Sequence, residues 1–128
     1  MTVEYILDAS AVIAVLKAEA GHRIVAPLLP VSALGTINLA EVVSTMLDAG
    51  VPNDALKAGL AALNIGQIIE ADENLAWEIG RLRLTTKNLG LSLGDRSCLA
   101  LAKIKNLPAV TADKMWKNLS GFQVKLIR

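Results

Sequence analysis

Val3-Glu4-Tyr5-Ile6-Leu7-Asp8-Ala9-Ser10-Ala11-Val12-Ile13-Ala14-Val15-Leu16-Lys17 carries the key to the fold. Residues 3–7 read as a short buried strand: mostly apolar, with β-branched and aromatic side chains, and stopped by Asp8. Ala9–Lys17 is nearly all Ala, Val, Ile and Leu, so it reads as a helix buried on most sides. Asp8 and Ser10 are polar points in an otherwise apolar run from Ile6 to Leu16.

The same alternation continues along the chain. A second short helix is expected over 21–29, closed by Pro30, and an extended segment over 31–34. The spacing predicts a helix over 37–48, where Leu39, Val42, Val43, Met46 and Leu47 recur at i, i+3, i+4, i+7 and i+8. Asn38, Glu41, Thr45 and Asp48 make a polar stripe beside them, and Gly50 ends the helix. Pro52 and Asn53 signal the start of a helix over 54–63. A strand at 65–69 comes next, then a long amphipathic helix over 72–87 with Leu75, Ile79 and Leu82 on its apolar side. Residues 88–93 read as a glycine-containing loop, 94–105 as a helix, Ala109–Thr111 as a strand and 124–127 as a last strand. Strands alternating with helices indicate an α/β domain with a mainly parallel sheet. The 128 residues fit one domain, and every gap between elements is short.

Composition narrows the classes. Hydrophobic residues make up 53% of the chain and the mean hydropathy is +0.46. Two explanations fit: apolar surface covered by a partner, or an Ala-rich helical domain with a well-filled core. No run of about 18 apolar residues exists to span a membrane. The N-terminus lacks the basic start of a signal peptide. Cys98 is the single cysteine, which excludes an intrachain disulfide. Both features point to a reducing cytoplasm. Charge is divided: residues 1–74 carry 3 basic and 9 acidic side chains, a net −6, and residues 75–128 carry 10 and 3, a net +7. That division suits a phosphate-bearing ligand beside a cation site, or simply solvated helix faces.

Four carboxylates hold places where chemistry is done. Asp8 ends the first strand, and Asp113 stands just after a later one in Thr111-Ala112-Asp113. Ligands of an open parallel sheet bind beyond the carboxyl ends of its strands. Asp95 opens a helix in Leu93-Gly94-Asp95-Arg96, and Glu41 lies one helical turn from Asn38, so that pair shares a face. Each acid also has a plain structural reading. Asp8 could cap the helix that begins at Ala9, and Asp113 a short turn at Lys114–Lys117. Ser92-Leu93-Gly94-Asp95 matches a capping box, and Glu41 could be a solvated helix residue. Brought to one crevice, however, carboxylate pairs at ~5 Å repel by about 3 kcal/mol at an effective dielectric of ~20. Such a cluster needs protons or a cation, and all-oxygen ligands suit Mg²⁺ or Mn²⁺. There is no Cys/His set with zinc spacing. The lone His22 reads as a surface residue.

Asp8-Ala9-Ser10 after a strand, Asn38-x-x-Glu41 in a helix, Leu93-Gly94-Asp95-Arg96 opening a helix and Thr111-Ala112-Asp113 after a strand together resemble the PIN-domain nucleases, most of all the VapC-type toxins. The resemblance spans essentially the whole chain and implies a single PIN-like domain over 1–128, a three-layer α/β/α fold with a mainly parallel central sheet. It implies a metal-dependent endoribonuclease with Asp8, Glu41, Asp95 and Asp113 as catalytic acids. Asp8, Asp95 and Asp113 would bind Mg²⁺ or Mn²⁺ directly or through water, Glu41 would hold water or act as base, and Ser10 and Asn38 would orient the carboxylates. Arg96, Lys114, Arg81, Arg83 and Lys87 are candidates for holding the RNA backbone. Trp77 and Trp116 are candidate stacking platforms, or else core or dimer-contact residues. The same resemblance implies a homodimer and a VapB-type antitoxin that covers the toxin. A phosphoryl-aspartate protein fits less well, since Ser10 stands where dehalogenase-like phosphatases need an acid and only Asp8 represents the acidic pair of receiver domains. A non-catalytic, degenerate PIN module is the remaining alternative.

Overall fold

The computed structural model describes residues 2–128. Its centre is a five-stranded, wholly parallel sheet: β1 (Tyr5–Leu7), β2 (Ser32–Gly35), β3 (Gln67–Ile69), β4 (Ala109–Thr111) and β5 (Val124–Leu126), ordered β3-β2-β1-β4-β5. Six helices flank it: α1 (Ala9–Lys17), α2 (His22–Val25), α3 (Thr36–Asp48), α4 (Asn53–Leu63), α5 (Glu73–Thr86) and α6 (Leu93–Lys105). This is the expected α/β/α arrangement.

Registry divides the core into two layers. Ile6 pairs with Ala33 on one side and Ala109 on the other, and Leu7 with Leu34 and Val110. Side chains alternate across a strand, so Ile6, Ala33 and Ala109 share one face and Leu7, Leu34 and Val110 the other. The first face packs on Leu75, Ile79 and Leu82 of α5, on α6 and on Trp116. The second packs on Val12 of α1, Val25 of α2, Val42 and Met46 of α3 and Leu56 of α4. A strand covered on both faces has no polar alternation, which is why β1 reads as a continuous apolar run.

Boundaries differ from expectation where proline and glycine act. The helix expected over 21–29 is only α2, succeeded by a 3₁₀ segment, Ala26–Val31. Pro27 and Pro30 supply no backbone N–H to continue an α-helix. The strand expected from residue 65 begins at Gln67, just after Gly66, whose backbone runs so close to the Pro30 and Ser32 carbonyls that a side chain there would strike them. The loop expected over 88–93 is entered through a 3₁₀ turn, Lys87–Leu89, passes Gly90 at φ +66° and ends at Ser92, since α6 already begins at Leu93. α3 buries Asn38 fully and leaves Leu47 exposed, so its apolar stripe is narrower than the periodicity suggests. Asn38 belongs to the interior, not to a solvated polar stripe. No described helix is long and apolar enough to cross a membrane.

Candidate active site

β1, the middle strand of five, delivers Asp8 to the carboxyl edge of the sheet. Its neighbours supply the rest: β2 leads into α3 with Asn38 and Glu41, and β4 leads into Thr111 and Asp113. Asp8 is buried, and its Oδ2 accepts hydrogen bonds from Ser10 Oγ at 2.6 Å and Thr111 Oγ1 at 2.9 Å. Each hydroxyl is itself held by a backbone donor. Ala112 N–H donates to Ser10 Oγ and Asp113 N–H to Thr111 Oγ1, both at 3.0 Å. Two relays therefore tie the chain after β4 to one oxygen of Asp8.

A second assembly joins α3 to α6. Asn38 Nδ2 donates to Glu41 Oε1 at 2.8 Å and to the Gly94 carbonyl at 3.0 Å. The Glu41 carboxylate lies directly against Gly94, and any Cβ there would collide with it. Asp95, one residue on, accepts from Ser92 N–H at 3.0 Å while its own N–H donates to Ser92 Oγ at 3.1 Å, the reciprocal capping box of α6. Asp113 Oδ1 accepts from Met115 N–H at 3.0 Å and caps a 3₁₀ turn, Lys114–Asn118.

Electrostatics mark the convergence. Burial raises the Asp8 carboxyl above the usual carboxylate range, and the charge of Asp95 pushes the same way against the two hydroxyl hydrogen bonds. Burial also raises Glu41, with Asp8 and Asp95 adding to it against the Asn38 hydrogen bond. Burial holds the Cys98 thiol well above its ordinary range, and Asp8, Asp95 and Glu41 reinforce that. Three acids thus act on one another. Among the described residues no three His, Cys, Asp or Glu side chains form a ready ligand group. Asp95 and Asp113 instead present carboxylates engaged with backbone N–H groups. This donor set suits Mg²⁺, which usually takes one or two carboxylates and keeps several waters.

The other candidates separate. Lys114 is exposed beside Asp113, and Arg81 and Arg83 are exposed on α5. Lys87 is exposed just beyond that helix. Arg81 pairs with Glu78 and lies over the Trp77 ring, 5.6 Å from its centroid. Arg96 is half-buried and donates to the Ile79 carbonyl at 3.0 Å, tying α6 to α5. Trp116 is fully buried in the core and offers no stacking face, whereas Trp77 is 61% exposed. His22 is half-buried at the start of α2. Sequence reasoning gave no role to Thr111 or Gly94. A polar residue closing a buried strand was the available signal for Thr111, and a glycine inside a helix start for Gly94.

A PIN domain family model matches residues 5–121. The chain belongs to the PIN domain family. Comparison with curated proteins finds no match. Among solved structures, a chain of the toxin–antitoxin complex from Klebsiella pneumoniae is 20% identical, covers 98% of both chains and superposes with a TM-score of 0.77. A chain of VapBC2 from Rickettsia felis, bound to a promoter DNA fragment, is 19% identical over 95% of this chain and 97% of that one, at 0.74. A chain of VapBC-5 from Mycobacterium tuberculosis is 25% identical over 98% of both, at 0.61. This PIN domain shares their fold.

Proposed function

We propose that this PIN domain is a Mg²⁺- or Mn²⁺-dependent endoribonuclease and the toxin half of a toxin–antitoxin pair. The observation that carries the reading is Asp8: a buried carboxylate at the end of the central strand, held through one oxygen by two hydroxyls, with Glu41 and Asp95 close enough to act on it or be acted on by its charge. Structure alone has little use for three mutually repelling acids, and a divalent cation makes them favourable. The similarity to chains of toxin–antitoxin complexes supports the biological role.

A bound Mg²⁺ or Mn²⁺ would activate water and neutralise charge on the phosphoryl oxygens. Asp8 would hold it directly, with Asp95 and Asp113 contributing directly or through water. Ser10 and Thr111 direct the Asp8 carboxylate, and Asn38 holds Glu41 where it can take a proton from attacking water. Lys114, exposed on the β4 side, would meet the RNA backbone. The partners proposed are RNA, a VapB-type antitoxin and a second copy of the chain, in the cytoplasm.

Purified protein should cut RNA with Mg²⁺ or Mn²⁺. EDTA, or Asp8→Asn, should reduce cleavage to background. Cleavage that persists without divalent ions, or in Asp8→Asn, would refute the mechanism.

A further inference from the structure

Beside the acids, on the β2 side of Asp8, a groove of about 480 Å³ runs between α3 and the start of α6. That volume is within the range of small-molecule sites. Ile37, Ala40, Glu41, Ser44 and Thr45 line it from α3, and Ser92, Leu93 and Gly94 from the cap and first turn of α6. The α3 residues fall at i, i+3, i+7 and i+8 about Glu41 at i+4, so they form one stripe with the Glu41 carboxylate in its middle. Leu93 is 57% exposed although it opens a helix in contact with the core.

The lining is specific in what it contains. It has apolar surfaces from Ile37, Ala40 and Leu93 and three hydroxyls, from Ser44, Thr45 and Ser92, each able to donate and accept. It has no Lys or Arg, so it is not a track for phosphates. The exposed cations next to the acids, Lys114 and Lys117, come after β4, on the opposite side of β1. A nucleic acid strand crossing the acids therefore meets cations on one side and, on the other, a partly apolar groove whose lining carries one charge, the Glu41 carboxylate. The neutral part of a nucleotide is its base, flat and apolar on its faces and polar at its edge.

We infer that this groove holds the base next to the scissile phosphate, and that Ser44 and Thr45 help set the sequence preference of cleavage. The inference rests on the ribonuclease reading above and adds to it a selectivity subsite.

Two measurements separate the subsite from that reading. The first is cleavage of oligoribonucleotides that differ only in the base flanking the cut, by wild type, Ser44→Ala and Thr45→Val. The ratio of kcat/KM between best and worst base should change about three- to tenfold, the value of one net hydrogen bond. The second is an NMR titration with the four ribonucleoside 5′-monophosphates in Mg²⁺. Amide shifts should appear at residues 40–45 and 92–94, with affinities that differ between bases and become more alike in Thr45→Val. Base-selective shifts in a protein that cuts no RNA would sustain the groove and sink the ribonuclease. RNA cleavage with unaltered base preference in both variants, and mononucleotide shifts elsewhere or nowhere, would overturn the groove. Both substitutions are at exposed helix positions, where stability changes are usually within about 0.5 kcal/mol.

Discussion

Thr111 shows how much one hydroxyl can hold together. It is fully buried, donates to Asp8 and accepts from the Asp113 backbone, so it serves two of the candidate acids at once. Thr111→Val keeps the shape and removes both functions, leaving the Asp113 N–H without that acceptor. We expect a loss of about 1–3 kcal/mol in denaturant unfolding without metal. Mn²⁺ affinity, measured from the metal-induced rise in Tm, should fall about 10–100-fold, and Thr111→Ser should restore most of it. Equal Mn²⁺ affinity in the Val variant would show that the relay does not position Asp8. Gly94 acts by lacking a side chain: the space a Cβ would fill belongs to the Glu41 carboxylate. Its helical position would otherwise favour alanine by about 0.5–1 kcal/mol.

The elements deliver acids that are costly to ionise together. Asp8 at the end of β1 and Glu41 on α3 are both raised, by burial first and then by neighbouring carboxylates. The folded protein thus retains protons that the unfolded chain releases. For such groups the stabilising contribution is complete below the unfolded carboxylate range and is lost as pH rises through the raised folded values. Without metal, the Asp8 and Glu41 contribution to stability should therefore decline from about pH 4 towards neutrality. Asp8→Asn should flatten that slope, and saturating Mg²⁺ should lift the neutral end most. Thermal melts in EDTA across this window, compared between wild type and variant, check it; the same slope in Asp8→Asn would exclude Asp8 as the source. The elements also explain what was readable in advance. α1 is bounded as its composition implies, and the capping box of α6 is spelled out in Ser92 to Asp95. The burial of Asn38 was not readable, because helical periodicity reports polarity and cannot tell a solvated amide from one buried against a neighbouring helix.

On the scale of the whole molecule the two tryptophans have opposite parts. Trp116 fills the core face shared by α5 and α6, and Trp116→Ala should cost about 3–5 kcal/mol in unfolding. Trp77, with Arg81 and the 77%-exposed Leu84, stands on an outer face of α5. Trp77→Ala should change monomer stability by no more than about 0.5 kcal/mol. A large loss for Trp77→Ala at low protein concentration, or none for Trp116→Ala, would contradict these placements. The high apolar content thus fills a core on both sides of the sheet, and the exposed remainder is spread over several elements, with Trp77 and Leu84 on α5 among its most exposed members.

The order of strands and helices and the parallel sheet were legible in the chain because each rests on local signals, apolar runs and caps, and the four candidate acids could be named from their places after strands and on helices. What those acids share depended on tertiary structure. Ser10 and Thr111, 101 positions apart, converge on one oxygen of Asp8 only because β4 lies beside β1. Asn38 reaches Gly94 across 56 positions only because α3 packs on α6. Packing between α5 and α6 likewise gave Arg96 the Ile79 carbonyl as a partner and put Trp116 in the core. Burial and pairing between distant segments decide such outcomes, and no local pattern encodes them. Asp8 was recognisable as a strand-end acid; its two hydroxyl relays belong to the folded protein.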